Sequence, residues 1–272
     1  MKQVWDGRYT GIRMCNQLLE NIDRVPDLDP ELKKRYIGEA KVLRAYSYYE
    51  LYTKFGDIPY TTKVLSIKES MSIARTAKAT VIANVLADLD EVINGNYLPT
   101  SYDADNKGRI TRWAAMAIKA KIYLFEGNWT QVKNITSTIM TEGGFKLFGS
   151  YAGLFEIANE YNSEVILDAQ YRPTSREHQM MYAFLPPSLG GYSQLSPLQE
   201  LVDSYIMLDG KTIKETGTSF DESHPYANRD PRLKATVMYT GNSYTLADGT
   251  EVVINLSLIH ISEPTRRRGI SY

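Results

Sequence analysis

The chain has 272 residues, enough to bury a sizeable core as one large domain or two small ones. Its 31 basic and 32 acidic residues nearly cancel, and no basic stripe argues for a nucleic-acid partner. The single cysteine, Cys15, excludes an intrachain disulfide, and no run of about twenty apolar residues predicts a membrane span.

The first half of the chain is predicted to be helical, because apolar side chains recur there at steps of three and four. Helices are predicted at residues 4–23, 30–55, 79–94, 111–126 and 128–141. Asp29 and Pro30 suit the N-cap and first position of the second helix, and Gly56 suits a left-handed cap at its end. Residues 58–72 are predicted to be extended or irregular.

An internal echo links the second and fourth helices through the pattern A-x-x-[LI]-[RK]-A-x-x-Y. Its members are Ala40, Leu43, Arg44, Ala45 and Tyr48, and then Ala115, Ile118, Lys119, Ala120 and Tyr123. Because the helices follow one another in antiparallel pairs, the echo predicts a tetratricopeptide-like array. Arg44, Ala45 and Ala120 are assigned structural roles: Arg44 is expected to join neighbouring helices through acceptor groups, and the alanines to let helices approach closely.

Beyond residue 145 the pattern changes to loops and short strands. Residues 172–192 are rich in proline, glycine and aromatic residues and are predicted to form a long loop. Strands are predicted at residues 162–171, 237–239 and 244–254, the last with a hairpin turn at Asp248-Gly249, and a short helix at 197–205. We therefore divide the chain into a helical bundle at 1–150, a loop-rich region at 151–255 and a tail at 256–272.

No sequence motif predicts catalysis, a metal site or a cofactor. His178 has no spaced ligand partner, so a solvated side chain is favoured over a metal ligand. Asp88 and Glu91 on the third helix are interpreted as part of a solvated polar face. An all-α glycosidase would need two carboxylates held across a cleft, and nothing favours such a pair. Trp113 and Trp129 are predicted at core or capping positions.

Three segments carry a resemblance to a known family. Residues 38–60 follow the pattern G-E-A-x-x-L-R-A-Y-x-Y-Y-E-L-x-x-x-F-G-D-I-P-Y, which resembles the signature helix of the SusD/RagB family. The segments NSEVILDAQY at 162–171 and RDPRL at 229–233 resemble further elements of that family. The resemblance implies a mostly α, tetratricopeptide-like helical-repeat bundle with an irregular loop and short-strand region.

The same resemblance implies an internal fragment of a surface lipoprotein of the outer membrane, whose leader, lipidated cysteine and C-terminal part are expected outside this sequence. The segment LSLIHISEPTR in the tail at 256–272 resembles a translated sequencing adapter, so the tail is predicted to be non-native. The alternative is a short strand at 257–261 followed by a polar tail.

Six residues in or beside the long loop are the predicted ligand-binding residues: Tyr171, Arg172, Arg176, Tyr182, Phe184 and Tyr192. A sugar ring presents an apolar face that stacks on aromatic rings, while arginine side chains bond its hydroxyl groups. At each aromatic position, packing beneath the loop is an equally good interpretation.

The predicted function is capture of an oligosaccharide or polysaccharide and its delivery to a TonB-dependent SusC-like transporter, without covalent chemistry. No nucleic-acid partner is expected, and membrane contact is expected only through a lipid anchor. The alternative function is a helical-repeat scaffold that binds protein partners.

Overall fold

A computed structural model describes residues 1–171, 177, 180–245 and 249–254, and the chain divides into two compact units. The first unit contains Met1–Leu147 and Tyr161–Ala169, and the second contains Phe148–Glu160 and Gln170–Tyr272. The predicted fold class is confirmed, because the structure is mostly α-helical with a single short hairpin among the described residues. The tail at 256–272 and the residues Arg172, Arg176 and His178 lie outside the described residues.

The first unit is built from helices that pack in chain order. They are α1 (Lys2–Asn21), α2 (Pro30–Phe55), α3 (Ile67–Ser72), α4 (Lys78–Asn94), α5 (Arg112–Phe125) and α6 (Trp129–Glu142). Among the long helices, α1 packs on α2, α2 on α4, α4 on α5, and α5 on α6. Packing between successive neighbours is the arrangement of a helical-repeat array, which agrees with the internal echo.

The ends of the helices follow from local sequence. The Asp29 side chain accepts a hydrogen bond from the Leu32 amide at 2.8 Å, and Pro30 is the first residue of α2. Gly56 ends α2 with φ +70° and ψ −120°, so it needs a positive φ but is not the predicted left-handed helical cap. This conformation leads the chain into an extended pairing of Ile58 with Thr76.

The helix α3 was not predicted, since residues 58–72 read as extended or irregular. Ser66 and Glu69 form a capping box, in which each side chain bonds the backbone amide of the other residue. This exchange satisfies two amides that would otherwise lack a partner and starts a helix of six residues.

The core of the first unit lies mainly along α2, where small and aromatic side chains alternate. Ala45 is fully buried and Ala120 is nearly so. Tyr48 is also buried, and its hydroxyl group donates a hydrogen bond to the Thr61 carbonyl oxygen at 2.7 Å. The rings thus fill the space between helices, while their polar ends bond to loops.

A buried arginine joins three helices of this unit. Arg44 on α2 is only 4% exposed. One of its terminal nitrogens donates to the Asn16 side-chain oxygen on α1 at 2.9 Å, and the other donates to an Asp88 carboxylate oxygen on α4 at 2.7 Å. Lys119, the echo partner of Arg44 on α5, pairs with Asp90 on α4. Arg44 on α2 and Lys119 on α5 therefore both form ion pairs with α4.

The interpretation of the acidic residues of α4 as a solvated face is wrong for Asp88 and correct only in part for Glu91. Asp88 pairs with Arg44, and Glu91 pairs with Lys41, both across the α2–α4 contact. The hydrogen bond from Lys41 is the main cause that lowers the pKa of Glu91 below its usual value. The Asp88 side chain is only 16% exposed, whereas that of Glu91 pairs with Lys41 and stays 48% exposed. The pattern on one helix does not reveal these partners.

The second unit has short elements. They are α7 (Met180–Phe184), α8 (Gln199–Ser204), α9 (Pro231–Thr236), β1 (Ser243–Thr245), β2 (Glu251–Val253) and three 3₁₀ segments at Gly153–Phe155, Ile157–Asn159 and Pro187–Leu189. The hairpin predicted within 244–254 is present, with Ser243 opposite Val253 and Thr245 opposite Glu251. The short helix predicted at 197–205 is present as α8.

Two predicted strands, at 162–171 and 237–239, do not form. A strand needs a partner with which to share backbone hydrogen bonds, and the one sheet among the described residues is the β1–β2 hairpin. Residues 162–169 instead form an irregular segment of the first unit, in which the Lys146 amide donates to the Ser163 carbonyl oxygen at 3.0 Å. Ile166 packs on the helical core, which accounts for the apolar alternation.

The RDPRL segment organises α8 and α9. The buried Arg229 donates hydrogen bonds to the carbonyl oxygens of Val202 and Tyr205, at 2.7 and 2.8 Å, at the C-terminal end of α8. Asp230 caps α9, and Arg232 lowers its pKa through a side-chain hydrogen bond. Leu233 then packs with Val202 in a small core.

We expect Ala45→Leu and Ala120→Leu each to lower the melting temperature, because added methyl groups in a filled helix interface force the neighbours apart. Overpacking of this kind costs about 1–3 kcal/mol. Thermal unfolding followed by circular dichroism measures the shift. The control is Ala83→Leu at an exposed position of α4, and unchanged melting of both buried variants would contradict the packing described here.

We expect Arg44→Met to destabilise the chain by about 3–5 kcal/mol, because Asp88 would keep a partly buried charge without its partner. Lys33→Met is the matched control on α2, since the Lys33–Asp23 pair at 2.7 Å is largely exposed and should contribute about 0–1 kcal/mol. Denaturant unfolding of both variants gives the difference. Equal stabilities would show that the buried pair contributes no more than a surface pair.

Candidate functional site

Two exposed tyrosine rings form a pair in the second unit. Tyr182 lies on α7, and Tyr192 lies on the chain that returns after the 3₁₀ segment Pro187–Leu189. Their ring centroids are 6.4 Å apart, the ring planes are inclined by 41°, and the side chains are 55% and 65% exposed. Such a pair offers solvent a continuous aromatic surface with hydroxyl groups at its edge.

Backbone hydrogen bonds hold the two rings together. The Tyr192 amide donates to the Tyr182 carbonyl oxygen at 2.7 Å, and the Gln194 amide donates to the Ala183 carbonyl oxygen at 2.8 Å. These bonds satisfy carbonyl groups at the end of α7 that have no partner within the helix. The position of the pair is therefore set by main-chain contacts.

Glycine at position 191 makes this return possible. A methyl group on Gly191 would overlap the Leu185 carbonyl oxygen. Gly190, just before it, has a φ of +81° and lies in the left-handed region. The Gly190-Gly191 pair thus lets the chain pass close to α7 and place Tyr192 beside Tyr182.

A cavity of about 590 Å³ adjoins this pair in the second unit. Its lining includes Phe184, which follows Tyr182 on α7, and Ser193, which follows Tyr192. Lys234 and Asn242 contribute polar groups to the same lining. The volume lies within the range of about 300–1,000 Å³ that is usual for small-molecule sites.

The structure brings together some of the predicted ligand-binding residues. Tyr182 and Tyr192 form the exposed pair, and Phe184 is half-exposed and lines the adjoining cavity. Tyr171 is exposed in the same unit, while Arg172 and Arg176 lie outside the described residues. Their role as a sugar-binding set stays a prediction. Sequence reasoning did not find Lys234 and Asn242, because they are brought to α7 only by tertiary folding.

The tryptophans differ from one another in exposure. Trp113 is buried in the core of the first unit, as predicted. Trp129 is 68% exposed at the first position of α6, so its assignment to a core or capping position is wrong. The cap of α6 is the neighbouring Asn128, whose side-chain oxygen accepts a hydrogen bond from the Gln131 amide. The tryptophan ring is therefore left at the surface.

The first unit contains a cleft of about 580 Å³ between α2, α5 and the irregular segment 162–169. Its lining is mostly apolar, with Leu43 and Ala117 on the two helices. At one end Arg109 donates two hydrogen bonds to the Glu39 carboxylate at 2.9 and 2.6 Å. Burial, with Glu39 as a further cause, raises the pKa of the nearby Tyr102 to about 12. Sequence reasoning did not predict this cleft, since its walls are far apart in the chain.

The described ranges contain neither a metal-binding cluster nor a helix able to span a membrane. No cluster of three or more histidine, cysteine, aspartate or glutamate side chains in these ranges is suited to hold a metal ion. No helix there is both long and apolar enough to cross a membrane.

Two family descriptions match the chain. Residues 1–124 match a SusD-like family described as starch-binding and associating with the outer membrane, and residues 154–265 match the SusD family. The second match extends into the segment 256–272. The chain belongs to the SusD/RagB family, and the resemblance of residues 38–60 is thereby confirmed.

Individual relatives agree with this assignment. SusD-like protein P25 of Formosa agariphila is 31% identical over 166 residues, which cover 61% of this chain and 31% of that protein. A SusD-like protein and a SusD-like carbohydrate-binding protein, both from Bacteroides fragilis, have crystal structures that superpose with a TM-score of 0.82 each. Their identities are 27% and 26%, and the matches cover 93% and 94% of this chain but 52% and 49% of theirs. The matches thus span between 31% and 52% of these relatives' own lengths.

We expect Gly191→Ala to separate the tyrosine pair, because the added methyl group displaces the chain from the Leu185 carbonyl oxygen. The measurement is quenching of tyrosine fluorescence by acrylamide. We expect the tyrosine rings of the variant to be more accessible to this quencher than those of the wild type. Gly149→Ala is the matched control in the same unit, since a methyl group there meets no atom within 4 Å. Identical quenching of both variants and the wild type would contradict the close approach at Gly191.

Proposed function

We propose that this chain is the glycan-binding part of a cell-surface protein that captures an oligosaccharide and passes it to a SusC-like, TonB-dependent transporter. The observation that carries this proposal is the exposed Tyr182–Tyr192 pair beside the cavity of the second unit. Membership of the SusD/RagB family supports it, as does the similarity to a SusD-like carbohydrate-binding protein. Attachment to the outer membrane through a lipid anchor is part of the same proposal.

The aromatic pair fits a sugar through physical complementarity. The apolar face of a pyranose covers an aromatic ring, while the phenol hydroxyls and the rim of the sugar can exchange hydrogen bonds. Each stacking contact contributes on the order of 1 kcal/mol, so one pair gives weak binding. Weak, reversible contact suits a protein that must release its ligand to a transporter, and it requires no catalytic group.

We expect the double substitution Tyr182→Ala with Tyr192→Ala to abolish retardation of the chain in a polyacrylamide gel that contains the bound polysaccharide. Two lost stacking contacts weaken binding by about thirtyfold if each contributes on the order of 1 kcal/mol. Affinity electrophoresis over a panel of polysaccharides is the measurement.

The matched control removes another exposed aromatic pair of the same unit, by Tyr151→Ala with Phe155→Ala. Their ring centroids are 5.6 Å apart, but the planes are inclined by 79°, so they offer no shared face to a sugar. Retardation should survive in this control. Normal retardation of the Tyr182 and Tyr192 variant would refute the proposed site.

A helical-repeat scaffold that binds protein partners is the second candidate. The mostly apolar cleft between α2 and α5 favours it, because Leu43 is 49% exposed there despite its apolar side chain. The same gels discriminate between the candidates. A protein-binding scaffold would migrate at the same rate with every polysaccharide and without any.

A further inference from the structure

The cavity of the second unit is lined by apolar and polar groups together. Phe184 and Leu201 contribute apolar surface, whereas Ser193, Ser196 and Ser243 contribute polar groups. Among the described residues, none donates to or accepts from the hydroxyl groups of these three serines. A lining of this kind can cover the apolar face of a sugar and bond its hydroxyl groups at once.

Asn242 in the cavity lining has a side-chain oxygen that accepts no hydrogen bond from the described residues. Asn242 is 6% exposed, and its side-chain nitrogen donates to the carbonyl oxygens of Lys234 and Val237, each at 3.3 Å. These two acceptors fix the orientation of the amide, since its oxygen would be repelled in their place. The Asn242 side-chain oxygen then has no hydrogen-bond partner among the described residues. This oxygen is itself buried, so it is an unsatisfied acceptor within the wall of the cavity.

One lysine, Lys234, is among the residues that line the same cavity. Lys234 is the one ionisable side chain in the lining, and it forms no ion pair with any described carboxylate. The neighbouring charges on α9 are already matched, because Arg232 pairs with Asp230. The electrostatic character of the cavity is therefore set by one uncompensated positive charge.

We propose that this cavity receives an anionic residue of the glycan, with its carboxylate or sulfate group paired to the Lys234 ammonium group. The serine hydroxyls bond the sugar hydroxyls, and Phe184 covers part of the ring. This inference rests on the proposed function and concerns the same site, because Phe184 and Ser193 adjoin the Tyr182–Tyr192 pair.

The charge of Lys234 is what separates anionic from uncharged sugars. An uncharged residue that covers the ammonium group removes water from it and returns only neutral hydrogen bonds. An anionic group replaces that water with a charge-assisted hydrogen bond, which is stronger than a neutral one. The cavity should therefore select sugars that carry a negative charge.

Isothermal titration calorimetry of the full chain tests this selection with three oligosaccharides of equal length: an oligouronate, a sulfated oligosaccharide and an uncharged one. We expect at least one anionic probe to bind about tenfold more tightly than the uncharged probe, the effect of one hydrogen bond to a charged group. Comparison of the oligouronate with the sulfated oligosaccharide distinguishes a carboxylate ligand from a sulfate ligand.

Three variants locate the effect. Lys234→Met should weaken anionic binding about tenfold and remove the preference for anionic over uncharged probes, whereas Lys234→Arg should retain the preference. Lys214→Met is the control, since Lys214 is an exposed lysine of the same unit outside the cavity lining. Melting temperatures equal to that of the wild type verify that each variant is folded.

Each contrary outcome has a distinct meaning. If Lys234→Met binds the anionic probes as the wild type does, or if the wild type binds all three probes equally, the anionic inference is overturned. The proposed function then still stands, provided that the Tyr182 and Tyr192 substitutions abolish binding of the uncharged probe. If the wild type binds no probe and no polysaccharide, both the inference and the proposed function fail.

Discussion

The buried guanidinium of Arg44 is the constraint on which the first unit depends. A charge in a helix interface is unfavourable unless its hydrogen bonds are satisfied, and its acceptors here lie on two different helices. Asn16, one of these acceptors, in turn donates to the carbonyl oxygens of Thr61 and Lys63 in the loop after α2. One side chain thus couples the positions of α1, α2, α4 and that loop. In the observed arrangement all these groups are paired.

The second unit is held by different means. Its small core of Val202, Leu233 and Val237 is supplemented by polar contacts to the backbone. Arg229 bonds the end of α8, and Asp230 caps α9. The tyrosine pair is fixed by main-chain hydrogen bonds rather than by burial, so its rings remain exposed and yet in place. Such preorganisation reduces the entropy lost on binding, which matters most where each contact is weak.

The proposed capture of a glycan and the proposed preference for an anionic residue draw on one segment. The chain that returns to α7 carries Tyr192 on the exposed side and Ser193 in the cavity lining. In these proposals the aromatic pair would contribute affinity that depends little on the identity of the sugar, because many sugars present an apolar face. The cavity would contribute discrimination, because its lining combines one lysine with several polar groups.

Local sequence determined the helices, the Asp29 cap, the hairpin and the family signature, because these depend on residues within one or two turns of each other. The sequence also predicted Tyr182 and Tyr192 as ligand-binding residues, because they lie in a long loop rich in aromatic residues. Only the tertiary structure decided that Asp88 pairs with Arg44, 44 residues away, and that residues 162–169 lie on helices instead of forming a strand. It alone placed Lys234 and Asn242 beside Phe184. Such pairings depend on which surfaces meet after the chain folds. The spacing of residues along one helix or strand does not specify which other element packs against it.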